Sequence, residues 1–197
     1  MKTSLLDRTR KALGAMAVGV LLLVTSGSMA SAQGDNNELI KMFRESAERG
    51  EAWAQNNLGV MYDNGEGVAE DDAEAVKWYR KAAEQGDAAA QNNLGVMYDN
   101  GEGVAEDDAK AVKWYRKAAE QGDAKAQSNL GVKCRDGQGA AQNYVLAHMW
   151  LDLARAQGNE SARKYMESLV TKMTKEQIAE AQRLASEWQA KHEGVGQ

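Results

Sequence analysis

Cys134 and His148 are the residues of this chain best equipped for covalent chemistry. Cys134 is the one cysteine and His148 one of two histidines. A thiol becomes a nucleophile only when a base or a nearby positive charge helps it to ionise. The two residues fall at the end of one expected helix and the start of its antiparallel partner, so a Cys–His dyad is geometrically open. Against it, no acid is evident to orient the imidazole, and no loop to hold an oxyanion. Cys134 also stands where a repeating pattern puts a core tyrosine, which favours a buried, inert thiol. His192 falls in a tail expected to fray. A second cluster is acidic: Glu66, Glu70, Asp71 and Asp72, with copies at Glu102, Glu106, Asp107 and Asp108. Carboxylates this dense invite calcium, but their order is not that of a calcium loop. Acids at helix N-termini, where they complement the macrodipole, are the simpler account. The expectation is neither metal nor cofactor.

The elements that carry these residues are a duplication. Residues 54–89 and 90–125 are the same 36-residue string with two changes, Glu74 to Lys110 and Ala89 to Lys125. A fixed period of this size is the signature of a stacked repeat, whose units bury a core only against their neighbours. The register extends back to Ile40–Gly50, which aligns with Val76–Gly86, and forward through Asn129–Val132, Gly137, Gly139, Trp150 and Gly158. The array is a half unit, two near-identical units and a diverged third. In the third, Lys133 and Cys134 replace Met97 and Tyr98. Gln138, Ala140, Gln142 and Asn143 replace Glu102, Val104, Glu106 and Asp107, while Ala141 keeps the alanine of Ala105.

Each unit reads as two helices. Ala90, Leu94, Met97 and Tyr98 form the apolar stripe of a first helix, and Ala111, Trp114, Tyr115, Ala118 and Ala119 that of a second. The run Asp99–Gly103 stops the first, and Asp107 caps the second. Asp71 and Glu74 have capping-box spacing, as do Thr174 and Gln177. Gly86, Gly122 and Gly158 end second helices, and Asp87, Asp123 and Asn159 cap the first helices that follow. Gly59, Gly95 and Gly131 lie inside first helices, where glycine costs about 1 kcal/mol relative to alanine. Its recurrence at one register implies a neighbouring helix too close for a Cβ, with Trp78, Trp114 or Trp150 as the expected contact. Residues 160–173 read as one amphipathic helix burying Tyr165, Met166 and Leu169, followed by a capping helix through Trp188. The fold class is therefore all-α: an α-solenoid of antiparallel helix pairs closed by a C-terminal capping helix.

The N-terminus reads as an export signal. Lys2, Arg8, Arg10 and Lys11 precede an apolar run, Ala12–Val24, and Ala30-Ser31-Ala32 fits small-x-small cleavage. That run is short of the roughly 20 residues of a membrane span. The organisation expected is a signal peptide at 1–32, a disordered linker at 33–37, the repeat array at 38–163, capping helices at 164–192 and a frayed tail at 193–197. Cleavage would remove four basic residues and Asp7. That leaves 20 Lys+Arg against 28 Asp+Glu, a net charge of −8. Such a balance disfavours nucleic acid and anionic membrane. One cysteine permits no internal disulfide, so stability must come from packing along the stack.

The pattern A-x3-L-G-x2-Y-x2-G-x-G-V followed by A-V-x-W-Y-x-K-A-A-x-Q-G resembles the Sel-one-like repeat, a relative of the tetratricopeptide repeat. The likeness covers about residues 39–163, and the tail around Met173-Thr174 resembles the closing helices of bacterial members. It implies a protein-binding scaffold, in bacteria often exported and engaged at the envelope or with a host. Cysteine-rich relatives with suggested β-lactamase or penicillin-binding activity supply an enzymatic alternative, but their paired cysteines are absent here. A cell-wall glycan binder is a weaker reading, since most of the aromatic residues look like core.

In repeats of this type the first-helix arc opposite the core lines the concave groove. Taking Leu58 as the core direction and 100° per residue, Asn56, Val60 and Asp63 lie on that arc. Their equivalents are Asn92, Val96 and Asp99, then Ser128, Val132 and Arg135. An amide, an aliphatic group and a carboxylate repeated at one pitch could hold an extended peptide and attract a Lys or Arg on it. The expectation is a non-catalytic, monomeric, periplasmic or secreted protein that binds a protein or peptide partner through these residues.

Overall fold

Every repeat carries its own stops and starts, and these divide the chain into short helices. The computed structural model describes residues 29–193, with side chains from 38 to 192. In chain order the helices are α1 (Met29–Glu48), α2 (Ala52–Asn64), α3 (Asp72–Glu84), α4 (Ala88–Asn100), α5 (Asp108–Glu120), α6 (Ala124–Asp136), α7 (Tyr144–Ala156), α8 (Glu160–Leu169) and α9 (Lys175–Glu193), with a 3-10 turn at Val170–Lys172. From α1 to α8 each helix packs on the next, and α9 packs on α7. The hairpins α2–α3, α4–α5 and α6–α7 are the three units; α1 is the half unit. This is the expected all-α solenoid. Most of the expected signal peptide lies outside the described residues, as does 194–197. Residues 33–37, expected as a disordered linker, are helical within α1; Gly34, Asp35, Asn36 and Asn37 are weak helix formers, but no proline interrupts the helix.

The caps act where the sequence puts them. Asp71 and Asp107 accept from the backbone N–H groups of Glu74 and Lys110, at 3.0 and 2.9 Å. Asp87, Asp123 and Asn159 accept likewise from Ala90, Ala126 and Ala162 at 2.8, 2.8 and 2.9 Å. The Thr174/Gln177 box closes in both directions, at 2.9 and 3.2 Å. The Asp71/Glu74 box closes in one only, because Glu74 turns to Lys77 at 2.5 Å. Residues 160–173 depart from the single helix expected. α8 stops at Leu169, where the Ser168 and Thr171 hydroxyls bond backward to the carbonyls of Tyr165 and Ser168, at 3.0 and 2.8 Å. Tyr165, expected in the core, is 38 % exposed, while Met166 and Leu169 are buried.

Glycine permits the closest approaches. A Cβ on Gly59 or Gly95 would stand 2.6 Å from Cδ1 of Tyr79 or Tyr115, and one on Gly131 2.7 Å from Cγ of Leu151. The close contact is as expected, but its partner is the residue after each tryptophan. One position turns a helix by about 100°, which aims Tyr79 and Tyr115 at their own first helix. Trp78 and Trp114 remain half-buried, with Lys81 and Lys117 lying over their rings.

Two polar ladders join the units. Gln55, Gln91 and Gln127 are buried and donate to the carbonyls of Ala47, Ala83 and Ala119, at 3.0, 3.0 and 3.2 Å. Each also accepts from the glutamine ending its own hairpin: Gln85 at 2.7, Gln121 at 2.7 and Gln157 at 2.9 Å. Asn93 and Asn129 donate across to Asn56 and Asn92, both at 3.1 Å. Buried amides satisfied this way fix the register between hairpins, since any slip orphans them.

Candidate binding surface

The nine residues expected to face a partner do not form one free surface. Val60, Val96 and Val132 are half-buried, one per hairpin on α2, α4 and α6. Asn92 and Ser128 are buried, and Asn56 is half-buried. Asn56 and Asn92 are spent as acceptors in the asparagine ladder. Asp63 and Asp99 accept hydrogen bonds from the Tyr79 and Tyr115 hydroxyls, at 3.0 and 3.2 Å. Arg135 holds Asp136 through two 2.7 Å bonds and lies 5.2 Å from the Tyr165 ring centroid. The arc drawn from one helix ignored the first helix of the next unit, which covers its asparagine edge.

Asp63 and Asp99 occupy one register but different electrostatic settings. Burial raises the Asp63 carboxyl above its ordinary 3.8; the bond from Tyr79 opposes this, and the charges of Asp72 and Glu102 add to it. It has no ion pair among the described residues. Asp99 instead meets Lys133, whose ammonium also reaches Asp108 at 2.8 Å. Burial pulls the Lys133 pKa down, but its hydrogen bonds to Asp108 and Asp99 outweigh this and leave it raised. The lysine that replaces Met97 in the third unit thus neutralises an acidic pair which the first unit, at Asp63 and Asp72, leaves uncompensated.

The chain matches the Sel1 repeat three times, over residues 54–87, 88–123 and 124–159. It belongs to the Sel1 repeat family. Among solved structures it is similar to a Sel1 repeat protein from Oxalobacter formigenes, with 40% identity over 66% of this chain and 97% of that one, at a TM-score of 0.60. It is also similar to c5321, a protective antigen of uropathogenic Escherichia coli with an SLR fold, at 28% identity and a TM-score of 0.59; the match covers 91% of this chain and 44% of that one. Cysteine rich protein B of Helicobacter pylori shares the fold, at 23% identity over 72% of this chain and 99% of that one, with a TM-score of 0.54. No curated protein matches the chain. Sel1 repeats in general form protein-interaction scaffolds.

Within the Sel1 frame the candidates for covalent chemistry, Cys134 and His148, are core residues. Cys134 and His148 are both buried, and no hydrogen bond joins them. Burial pushes the Cys134 thiol up, with Arg116 opposing, which disfavours the thiolate a nucleophile needs. One S-x-x-K spacing is present, Ser161 to Lys164, and both residues are exposed near the start of α8. Among the described residues no three His, Cys, Asp or Glu side chains gather as a metal site would require, and no helix is long and apolar enough to cross a membrane. His192, expected in a frayed tail, closes α9. Its ring stacks on Trp188 at 3.8 Å and its Nε2 lies 3.1 Å from the Glu120 carbonyl oxygen. Trp188 in turn meets Trp150 edge-on at 6.2 Å, and with the buried Ala185 it seats the capping helix on the array.

His148 takes the place of Val76 and Val112, and its Nδ1 has no hydrogen-bond partner. Burial lowers its pKa below the ordinary 6.5; Asp152 opposes this and Arg155 adds to it. The unfolded chain takes up the proton near pH 6.5 while the folded chain resists it. The contribution of neutral His148 is therefore complete above that pH and is lost as pH falls toward the lower folded value. His148→Val is expected to flatten the stability difference between pH 7 and pH 5 relative to wild type. Urea midpoints at the two pH values measure it; parallel slopes for both proteins refute the assignment.

Proposed function

We propose that the chain is an exported, non-catalytic scaffold that binds an extended segment of a protein or peptide partner along α2, α4 and α6. Val60, Val96 and Val132 supply the apolar contact, and Asp63 with Asp72 receives a Lys or Arg of the partner. The observation that carries this reading is Lys133. Its ammonium sits against Asp99 and Asp108, an intramolecular version of what a partner's cation would do at the equivalent, uncompensated pair. Export is supported by the basic N-terminal segment, the apolar run and the Ala30-Ser31-Ala32 site. The chain's one cysteine supports the non-catalytic reading over the enzymatic alternative, as does the exposed placing of Ser161 and Lys164.

The test is crosslinking of the exported protein in its native envelope, followed by binding of the recovered partner to purified variants. Asp63→Asn keeps an acceptor for Tyr79 and removes only the charge; Val96→Asp spoils the apolar strip. Each is expected to weaken binding about five- to tenfold, the scale of one good contact; Asp63→Asn leaves the thermal midpoint close to wild type, whereas Val96→Asp lowers it, because Val96 packs partly against the core. Undiminished binding by both variants refutes this surface.

A further inference from the structure

The twin units serve as an internal control for a second site, on the second-helix side of the array. In the first hairpin pair, Arg80 donates to the Tyr98 hydroxyl at 2.9 Å and Lys77 pairs with Glu74 at 2.5 Å. Their copies on α5 are Arg116 and Lys113. Position 134 is cysteine, with no hydroxyl to offer, and position 110 is lysine, drawn to Asp107 at 2.9 Å. Among the described residues neither Arg116 nor Lys113 has a hydrogen bond or ion pair. The loop they face has changed as well. Three carboxylates of the twin loop, Glu102, Glu106 and Asp107, become Gln138, Gln142 and Asn143, and Val104 becomes Ala140. A cavity of about 310 Å³ lies there, between α5 and the α6–α7 loop. Lys113, Arg116 and Lys117 line it, with Glu120 as the one acid and Val112 and Ala140 among its apolar residues.

Every departure from the twin pattern here acts in one direction. Two cations lose their partners, the neighbouring loop sheds three carboxylates, and the wall recedes by two methyl groups. An unpaired guanidinium offers a planar fork that matches a carboxylate bidentately, and flanking lysines add charge without geometry. The apolar wall suits carbon more than a bare inorganic ion. We propose that this cavity binds a carboxylate carried on a short hydrocarbon stem, from either a free short-chain dicarboxylate or a glutamate side chain of a polypeptide. The site shares no residue with the first-helix strip, so it stands or falls independently of the partner surface.

The full chain, labelled with ¹⁵N, is titrated separately with glutarate, hexaglutamate peptide and inorganic phosphate. Amide shifts of Ala109, Val112, Gly139 and Ala140 are followed. Saturable shifts with glutarate identify a free ligand, and shifts with hexaglutamate alone identify a polypeptide; both support the site. Arg116→Gln is expected to weaken binding about tenfold or more, the loss of a charge-assisted bidentate contact. Cys134→Tyr and Ala140→Val restore the residues of the preceding unit. They are expected to reduce binding as well, and Ala140→Val, at a half-buried position, to leave the thermal midpoint near wild type. The proposal is overturned if neither carboxylate moves these amides, if Arg116→Gln binds as wild type does, or if phosphate binds as tightly as glutarate.

Discussion

Gly103→Ala is expected to lower the stability of the array by about 2–5 kcal/mol, a cost set by two separate physical demands. Gly103 has φ +64°, a left-handed conformation that costs an alanine about 1–2 kcal/mol. Its added Cβ would also stand 2.2 Å from the Asp72 carbonyl oxygen, at the start of the previous unit's second helix. That neighbour is backbone, so relief requires the hairpins to separate. Gly101→Ala is the control. It has φ +73° but its Cβ would meet nothing closer than 3.3 Å, so it carries mainly the conformational cost. Urea unfolding followed by circular dichroism should show Gly103→Ala clearly below Gly101→Ala, with a broadened transition as the first unit uncouples. Equal midpoints would mean that the loop does not clamp the preceding hairpin.

Tyr115→Ala is expected to cost about 3–5 kcal/mol, the range for removing a buried aromatic ring. The ring is 1 % exposed, packs on the Cβ-less face at Gly95, and donates its hydroxyl to Asp99. Tyr115→Phe keeps the ring and loses only the hydrogen bond, for about 1 kcal/mol. Comparing the two separates packing from polar anchoring. If Tyr115→Ala costs no more than Tyr115→Phe, the glycine–tyrosine contact is not what holds the hairpin shut. The ring's burial and the Asp99 and Asp108 charges also push the Tyr115 hydroxyl pKa well above its ordinary value, so it stays a donor across the working pH range.

The helices were legible because their signals are local. A cap acts over three residues and an apolar stripe over one or two turns, so Asp87, Asp107, Thr174 and the stripes through Leu94 and Tyr115 could be read directly. The duplication carried that reading to the whole stack, since identical strings must fold alike. The close approach at Gly59, Gly95 and Gly131 was legible too, from the cost of glycine in a helix.

What the sequence could not supply was the rotation of each helix against its neighbours. A one-residue error there exchanges Trp114 for Tyr115 beneath Gly95. The same ignorance made Asn92 and Ser128 look like partner contacts, because the helix that covers them belongs to the next unit. The glutamine and asparagine ladders join residues 30 and 37 positions apart, beyond any local signal. In the sequence Lys133 is simply the residue that replaces Met97; only the fold places Asp99 and Asp108 against it. Periodicity and caps thus settled which helices form and how often they recur. Tertiary packing alone decided which polar groups are spent inside the stack and which stay free for another molecule, because burial and pairing are properties of two surfaces in contact.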